Sequence, residues 1–361
     1  MNLLALCAAQ VWSACTLCST SVAAMVVCLA VTTVFASCDN KNGDKTTHCP
    51  CFERNLPEGS PQNWKTVESG FVGIENISLE NYPKVDGSTS GNILNTMVAC
   101  KLLGIEYRWL PPGALTEWSL QPNMDGNQEL HDFFYTRLKT SQTHGAFINL
   151  INSEADIILT HRTISPDEKS HADAVGVTLI ETSIGLDAFV FIINKTNPVK
   201  SLTVSQIQKI YTKEITKWSQ VGGKNTDMKV FIRPRNSGSE EVFRNIVMNE
   251  LEPADFPEAA IDRMIDVFWE IEENEDGICY SFNTYKDVQA RKLCNEVPVL
   301  AINGICPSES TVKNRTYPFI SEVHVAIRSD LDPNSMTYKL YEWLKSEHAR
   351  YTITECGFIS K

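Results

Sequence analysis

From residue 82 to the C-terminus, short apolar runs with strand character alternate with longer runs of helical period. Three of the junctions between them carry small hydroxyl residues. The segment 82–85 leads through Asp86-Gly87-Ser88-Thr89-Ser90-Gly91 into the helical run NILNTMVACKLLG. A second helix starts near Thr143-His144-Gly145. It is followed by the strand-like 155–159, which ends at Thr160-His161-Arg162. The strand-like 229–232 delivers Arg233 and then Ser237-Gly238-Ser239. Further strands are expected at 187–194 and 323–327, an acidic helical region at 254–274 and a closing amphipathic helix at 335–350. Thr203 and Gln206 have the spacing of a capping box in front of QIQKIYTK. Regular alternation of this kind predicts an α/β protein with mainly parallel sheets.

The junction at 233–246, RPRNSGSEEVFRNI, shows what such a site offers. Ser237 and Ser239 suit a helix N-cap, and Glu240 and Glu241 suit a first helical turn. A helix start presents N–H groups with no partner inside the helix. Gly238 lets a ligand approach the backbone, and Arg233 adds a permanent planar charge. Taken singly, such a segment reads equally well as an ordinary capped surface helix. Three similar junctions, with Arg162 and Arg233 at strand ends, favour an anion site without a metal or cofactor, since ligands of open α/β sheets sit beyond the carboxyl ends of the strands. His144 and His161 have no acidic or cysteine partner at metal-ligand spacing, and no base follows Ser237 at the spacing of a nucleophile motif.

The chain has 361 residues and a formal net charge of −12. Its length suggests two lobes. The charge argues against nucleic acid as a partner, because phosphate backbones need a basic face. It also means that any anion must be captured by local dipoles and one or two arginines against the overall field. Residues 1–37 contain no Asp, Glu, Lys, Arg or His. They read as an export signal or an N-terminal membrane anchor, with Met25 as an alternative start. Phe35-Ala36-Ser37-Cys38 has the look of a relaxed lipoprotein signal with Cys38 as the lipidated residue. Either version places the rest outside the cytoplasm, where disulfides are permitted. Residues 38–70 are polar and turn-rich and read as a tether. Seven of the 12 cysteines follow Cys38, so at least one is free or pairs with another chain. Their connectivity is open from sequence.

Residues 83–361 resemble the extracytoplasmic phosphate-binding proteins of phosphate ABC transporters. The resemblance lies in NPVKSLTVSQIQKIYTKEITKWSQVGG (197–223), RPRNSGSEEVFRNIV (233–247), VPVLAINGICPSESTVKNRTYPF (297–319), ADIILTHRTISPDE (155–168) and DGSTSGNI (86–93), in that family's order and spacing. It implies a type II periplasmic-binding-protein fold: lobe I from residues 71–185 plus 325–361, lobe II from 186–324, a ligand cleft between them, and two hinge crossovers near 184–188 and 320–325. It implies ligand-binding roles for Thr89, Ser90, Thr143, His161, Arg233, Ser237, Gly238 and Ser239, with Ser88, His144, Gly145 and Arg162 as further candidates. His161 stands near the position where some members place an aspartate that accepts the phosphate proton, a role that Asp86 is expected to take over. Arg235 stands where many members have an acidic residue that holds the arginine.

The function expected is capture of inorganic phosphate by a monomer, which hands it to the membrane permease of an ABC transporter. A binder of another oxyanion and a membrane-tethered sensor without transport are the alternatives. A phosphate-ester hydrolase is disfavoured by the missing nucleophile–base motif.

Overall fold

The computed structural model describes residues 48–50, 63–111, 117–256, 261–293 and 295–361. The leader, Cys38, Cys51 and Cys294 lie outside the described residues. The chain divides into two units, Met1–Thr46 and Thr47–Lys361, and the described fold belongs to the second.

The strands in chain order are β1 Val85–Gly87, β2 Tyr107–Leu110, β3 Ser119–Pro122, β4 Ile157–Thr160, β5 Leu179–Ile193, β6 Ser201–Leu202, β7 Lys229–Val230, β8 Gly277–Phe282, β9 Ala301–Ile302, β10 Ile320–Arg328 and β11 Ile359–Ser360. The helices are α1 Asn92–Leu103, α2 Gln128–Arg137, α3 Gln142–Ile151, α4 Pro166–Ala174, α5 Val204–Tyr211, α6 Gly238–Val242, α7 Met264–Glu273, α8 Glu309–Lys313, α9 Met336–Lys345 and α10 Glu347–Glu355. A wider turn, Phe243–Met248, continues α6 without a break, and a 3₁₀ turn, Thr89–Gly91, leads into α1.

The main sheet runs β1-β4-β10-β5-β8-β7, with β11 also on β5. β1/β4 and β7/β8 are parallel. β10 runs antiparallel to both β4 and β5, and β5 antiparallel to β8. The sheet is therefore mixed rather than mainly parallel. The two strands responsible, β5 and β10, are long, and β5 passes from one half of the molecule to the other. Its residues from Leu179 to Ala188 pair with β10, and those from Phe189 to Ile193 pair with β8. The β5/β10 ladder shifts register between Val323 and His324, so Ile184 is an extra residue there. Such a bulge bends and twists the strand.

Each half has its own core. Around β1, β4, β10 and the start of β5, strand alternation sorts the side chains onto two faces. Ile157, Leu159, Val323, Val325 and Ile327 face a core that holds α1, α9 and α10. Ile158 and Ala326 face a smaller cluster with Ala146, Phe147 and Leu150 of α3. The α1 helix is apolar nearly all round and correspondingly buried. The second core gathers the end of β5 (Phe189–Ile193), Tyr280, Phe282, Phe243, Phe268 and Trp218, with α5, α6 and α7. The Thr203 capping box forms: Thr203 Oγ1 accepts from Gln206 N at 3.1 Å, and Gln206 Oε1 accepts from Thr203 N at 2.8 Å.

The stretch before residue 70 is fastened at both described ends. Cys49 is disulfide-bonded to Cys306, with Cα atoms 5.5 Å apart, and it belongs to the second core. Lys65 exchanges backbone hydrogen bonds with Tyr107 at 2.8 and 3.0 Å, on the side of the first core. Cys100, Cys279 and Cys356 are buried free thiols. Opening the disulfide releases a loop of 257 residues in the unfolded chain. Cys306→Ser is accordingly expected to cost about 2–4 kcal/mol of unfolding free energy. Urea denaturation checks this, and the wild type with reductant should reproduce the loss.

Candidate functional site

β1 and, in the other half, β7 and β8 lead into a common hollow. Beyond β1 come Ser88, Thr89 and Ser90. Beyond β7 the chain reaches Arg233 and then Ser237, Gly238 and Ser239, while β8 ends at Phe282. These residues, with Thr143 and Gln142 at the start of α3, line one cavity of about 140 Å³. That is close to the ~150 Å³ that holds a benzene molecule. A small ion fits there. The three helix starts picked out from the sequence thus share one space. Gln142 itself is held at φ 63°. For a residue with a side chain that conformation costs about 1–2 kcal/mol, a strain of the kind found at binding sites.

Ser237 caps α6, its Oγ accepting from Glu240 N at 3.2 Å. Gly238 and Ser239, at the start of the continuous helical run Gly238–Met248, line the cavity, and a helix start leaves its first N–H groups without a partner inside the helix. Gly238 meets the opposite wall. A Cβ there would stand 2.2 Å from Thr143 Oγ1 and 3.1 Å from Thr143 Cβ. Only glycine lets α6 and α3 come this close.

Arg233 is buried. Its Nη2 donates to the Asp262 carbonyl at 2.7 Å and its Nη1 to the Arg263 carbonyl, while Nε has no partner among the described residues. Its backbone N–H donates to the Tyr280 hydroxyl at 3.0 Å, and that hydroxyl donates to Glu240. Two backbone carbonyls thus hold the guanidinium in place. Arg235, at the position where an acidic holder is expected, is exposed.

His161 is buried behind the serines. Its Nδ1 lies 2.8 Å from Ser90 Oγ and 3.2 Å from Ser88 Oγ. Its ring packs on Phe282 and Phe358 with centroids 4.6 and 5.3 Å away. Burial, and secondarily His324, push its pKa down to about 3. The Ser90–His161 contact has the spacing of a nucleophile and its base, but a ring this hard to protonate is a poor base at neutral pH.

Three further candidates turn away from the cavity. Arg162 makes a bidentate pair with buried Glu168, at 2.8 and 2.7 Å. His144 Nδ1 lies 2.9 Å from Glu168 Oε1. Gly145 sits within α3 against Ser141. Asp86, expected to accept a ligand proton, is spent on structure: it accepts from Gly87 N at 2.7 Å, Ser141 N at 2.8 Å and Asn149 Nδ2 at 2.7 Å. Glu117, Asp262, Arg263 and Met264 also line the cavity. No motif marks them in sequence, and they arrive by tertiary packing alone. Burial raises the Glu117 carboxyl.

Gly238→Ala is expected to cost the closed arrangement about 1–3 kcal/mol through overpacking. Adding Thr143→Ala should recover part of that cost, and a double-mutant cycle should give a coupling above ~0.5 kcal/mol. His161 sets a pH dependence. When unfolded it protonates near 6.5, whereas in the fold it stays neutral down to about 3. The unfolded chain therefore holds the extra proton, and stability falls as pH drops through this window, by up to about 1.4 kcal/mol per pH unit from this group. Denaturation of wild type and His161→Met across the window should show a shallower slope in the variant.

With this geometry in hand, comparison with known proteins is informative. Protein SphX of Synechococcus elongatus is 29% identical over 185 residues, which is 49% of this chain and 54% of that protein. The phosphate-binding protein PstS of Bacillus subtilis is 24% identical over 210 residues, 57% of this chain and 65% of that protein. The chain thus spans between about half and two-thirds of the length of these curated relatives. Two solved structures share the fold. A putative phosphate ABC transporter substrate-binding protein with bound phosphate, from Clostridium perfringens, aligns with TM-score 0.55 at 20% identity, covering 77% of this chain and 98% of its own. An ABC-type phosphate transport receptor from Vibrio cholerae aligns with TM-score 0.52 at 21% identity, covering 77% and 99%. The profile of the PBP superfamily domain matches residues 123–347, more than half of the chain, and the chain belongs to that superfamily.

Proposed function

We propose that this protein is an extracytoplasmic solute-binding protein that captures inorganic phosphate between two lobes and delivers it to the permease of an ABC transporter. The observation that carries this reading is the convergence of three helix starts, their hydroxyls and buried Arg233 on one ion-sized cavity. The relatives that are named phosphate-binding proteins, and the similar structure with bound phosphate, support the choice of ion. In this reading lobe I comprises residues 71–185 plus 325–361 and lobe II residues 186–324. β5 and β10 are the crossings, and the bulge at Ile184 is the place where they flex. Thr89, Ser90, Thr143, Ser237, Gly238 and Ser239 supply N–H groups and hydroxyls. Arg233 supplies the charge, its guanidinium held at the cavity wall by two backbone carbonyls. Residues 1–37 act as export signal or anchor, with Cys38 as the lipidation site in the former case. Such a protein acts by binding and closure rather than by catalysis.

Charge-assisted hydrogen bonds in a site from which water is excluded bring a small anion to micromolar affinity or better, about −8 kcal/mol. Titration calorimetry of the mature chain with phosphate should show such binding, and molybdate should bind more weakly. Arg233→Ala should weaken phosphate binding at least ~100-fold. It should also lower stability, because it frees the Asp262 and Arg263 carbonyls. Unchanged phosphate affinity in that variant would refute the assignment of the site.

A further inference from the structure

Resting on the reading of the cavity as an oxyanion site, we propose that Tyr280 and Glu240 are positioning residues for anion capture. One buried hydrogen-bonded chain, from the Arg233 amide through the Tyr280 hydroxyl to the Glu240 carboxylate, holds the arginine and the start of α6 at a fixed spacing. Neither Tyr280 nor Glu240 lines the cavity, but what they join does: Arg233 on one side, and Ser237, Gly238 and Ser239 on the other.

The covalent route between these two pieces runs over the surface. It passes through Pro234, Arg235 and Asn236, the last two exposed, and is closed by a turn bond from Ser237 N to the Pro234 carbonyl at 2.9 Å. An exposed turn of this kind fixes spacing weakly. The route through Tyr280 is buried. Tyr280 stands in β8 and is 1% exposed. Its ring stacks on Phe243, in the run that continues α6, with centroids 4.5 Å apart and planes 6° from parallel. Phe189 and Tyr211 pack around it with centroids at 5.4 and 5.9 Å. A ring so enclosed holds its hydroxyl in one place.

The direction of the chain is set by chemistry. A backbone N–H can only donate, so the Tyr280 oxygen accepts from Arg233, at 3.0 Å. Its own proton is left for Glu240, which accepts it. Burial holds the phenol well above its ordinary value, so that proton stays in place. Glu240 is the third residue of α6 and is buried. Its other oxygen accepts from Arg244 Nε at 2.8 Å, and its N–H donates to Ser237 Oγ at 3.2 Å. Glu240 is thus bonded to Tyr280 by its side chain and to the helix cap by its backbone. Arg233 is likewise fixed at two points, its guanidinium by the carbonyls of Asp262 and Arg263 and its amide by Tyr280. Donors fixed before the ion arrives lose little freedom on binding it, and the difference appears as affinity.

Calorimetry with inorganic phosphate on the whole mature chain tests this. The stoichiometry reports the folded fraction and the dissociation constant reports its affinity. Tyr280→Phe keeps the ring and removes the hydroxyl; it should weaken phosphate binding about tenfold. Glu240→Leu should do the same. Glu240→Gln, which keeps an oxygen for the hydroxyl to meet, should stay within about threefold of wild type. The double variant Tyr280→Phe/Glu240→Leu should lose no more than the larger single loss, because a chain breaks once. Tyr211→Phe removes another hydroxyl from the same core, one with no hydrogen-bond partner among the described residues, and should leave affinity unchanged. Unchanged affinity in Tyr280→Phe, equal losses in Glu240→Gln and Glu240→Leu, additive losses in the double variant, or a matching loss in Tyr211→Phe each overturns the inference while leaving the oxyanion site standing. A wild type that binds no phosphate removes the site and the inference together.

Discussion

The unbroken run of β5 from Leu179 to Ile193 is the constraint on which the rest of the structure depends. One strand belongs to two ladders, so the two cores are placed relative to each other by backbone hydrogen bonds and not by side-chain contact alone. That placement brings the end of β1 opposite the end of β7, and brings Thr143 against Gly238. A break in β5 would leave both cores intact and the cavity without a second wall. The price of such continuity is direction: β5 and β10 must run against their neighbours. Within the main sheet, parallel pairs therefore survive only at the two outer edges, β1/β4 and β7/β8.

Capture of an anion by a chain with net charge −12 sets a local problem. The answer is short-ranged. Peptide N–H groups at helix starts carry no net charge but concentrate partial positive charge within one turn. Arg233 adds a full charge, held by two carbonyls that cannot be titrated away. Nearby carboxylates are kept out of direct competition. Glu168 is occupied by Arg162 and His144, Glu240 is engaged by Tyr280 and Arg244, and Asp86 is filled with three donors. Glu117 and Asp262 do stand on the cavity wall, and burial works against the charge of Glu117.

Much of this was legible in the sequence because it is local. Caps at Ser237 and Thr203, the hydroxyl-rich turns and the strand before Arg233 each follow from a few adjacent residues. The mixed direction of the sheet was not legible, since a period-two pattern records which face a side chain takes and not which way its neighbour runs. The first half of β5, LIETSIGL, is only partly buried and carries polar residues, so its strand character rests on pairing with β10. The Glu168 clamp on Arg162 joins residues six apart across a turn, and the carbonyls that hold Arg233 lie about thirty residues downstream. Neither has a local signature. The same is true of the burial of His161, which is packed by Phe282 and Phe358 from far along the chain.

The bond between Cys49 and Cys306 has a consequence for the covalent connectivity of the molecule. It closes residues 49–306, including β5 and every residue that lines the cavity, into one macrocycle, with α8, β10, α9, α10 and β11 following as a tail that supplies part of both cores. Within the macrocycle, the segment from Cys49 on the second core to Lys65 on the first is a separate link between the halves. A single peptide cleavage anywhere from residue 50 to residue 305 would leave one covalently joined molecule, held through sulfur, where a chain without the bond would be left as two separate pieces.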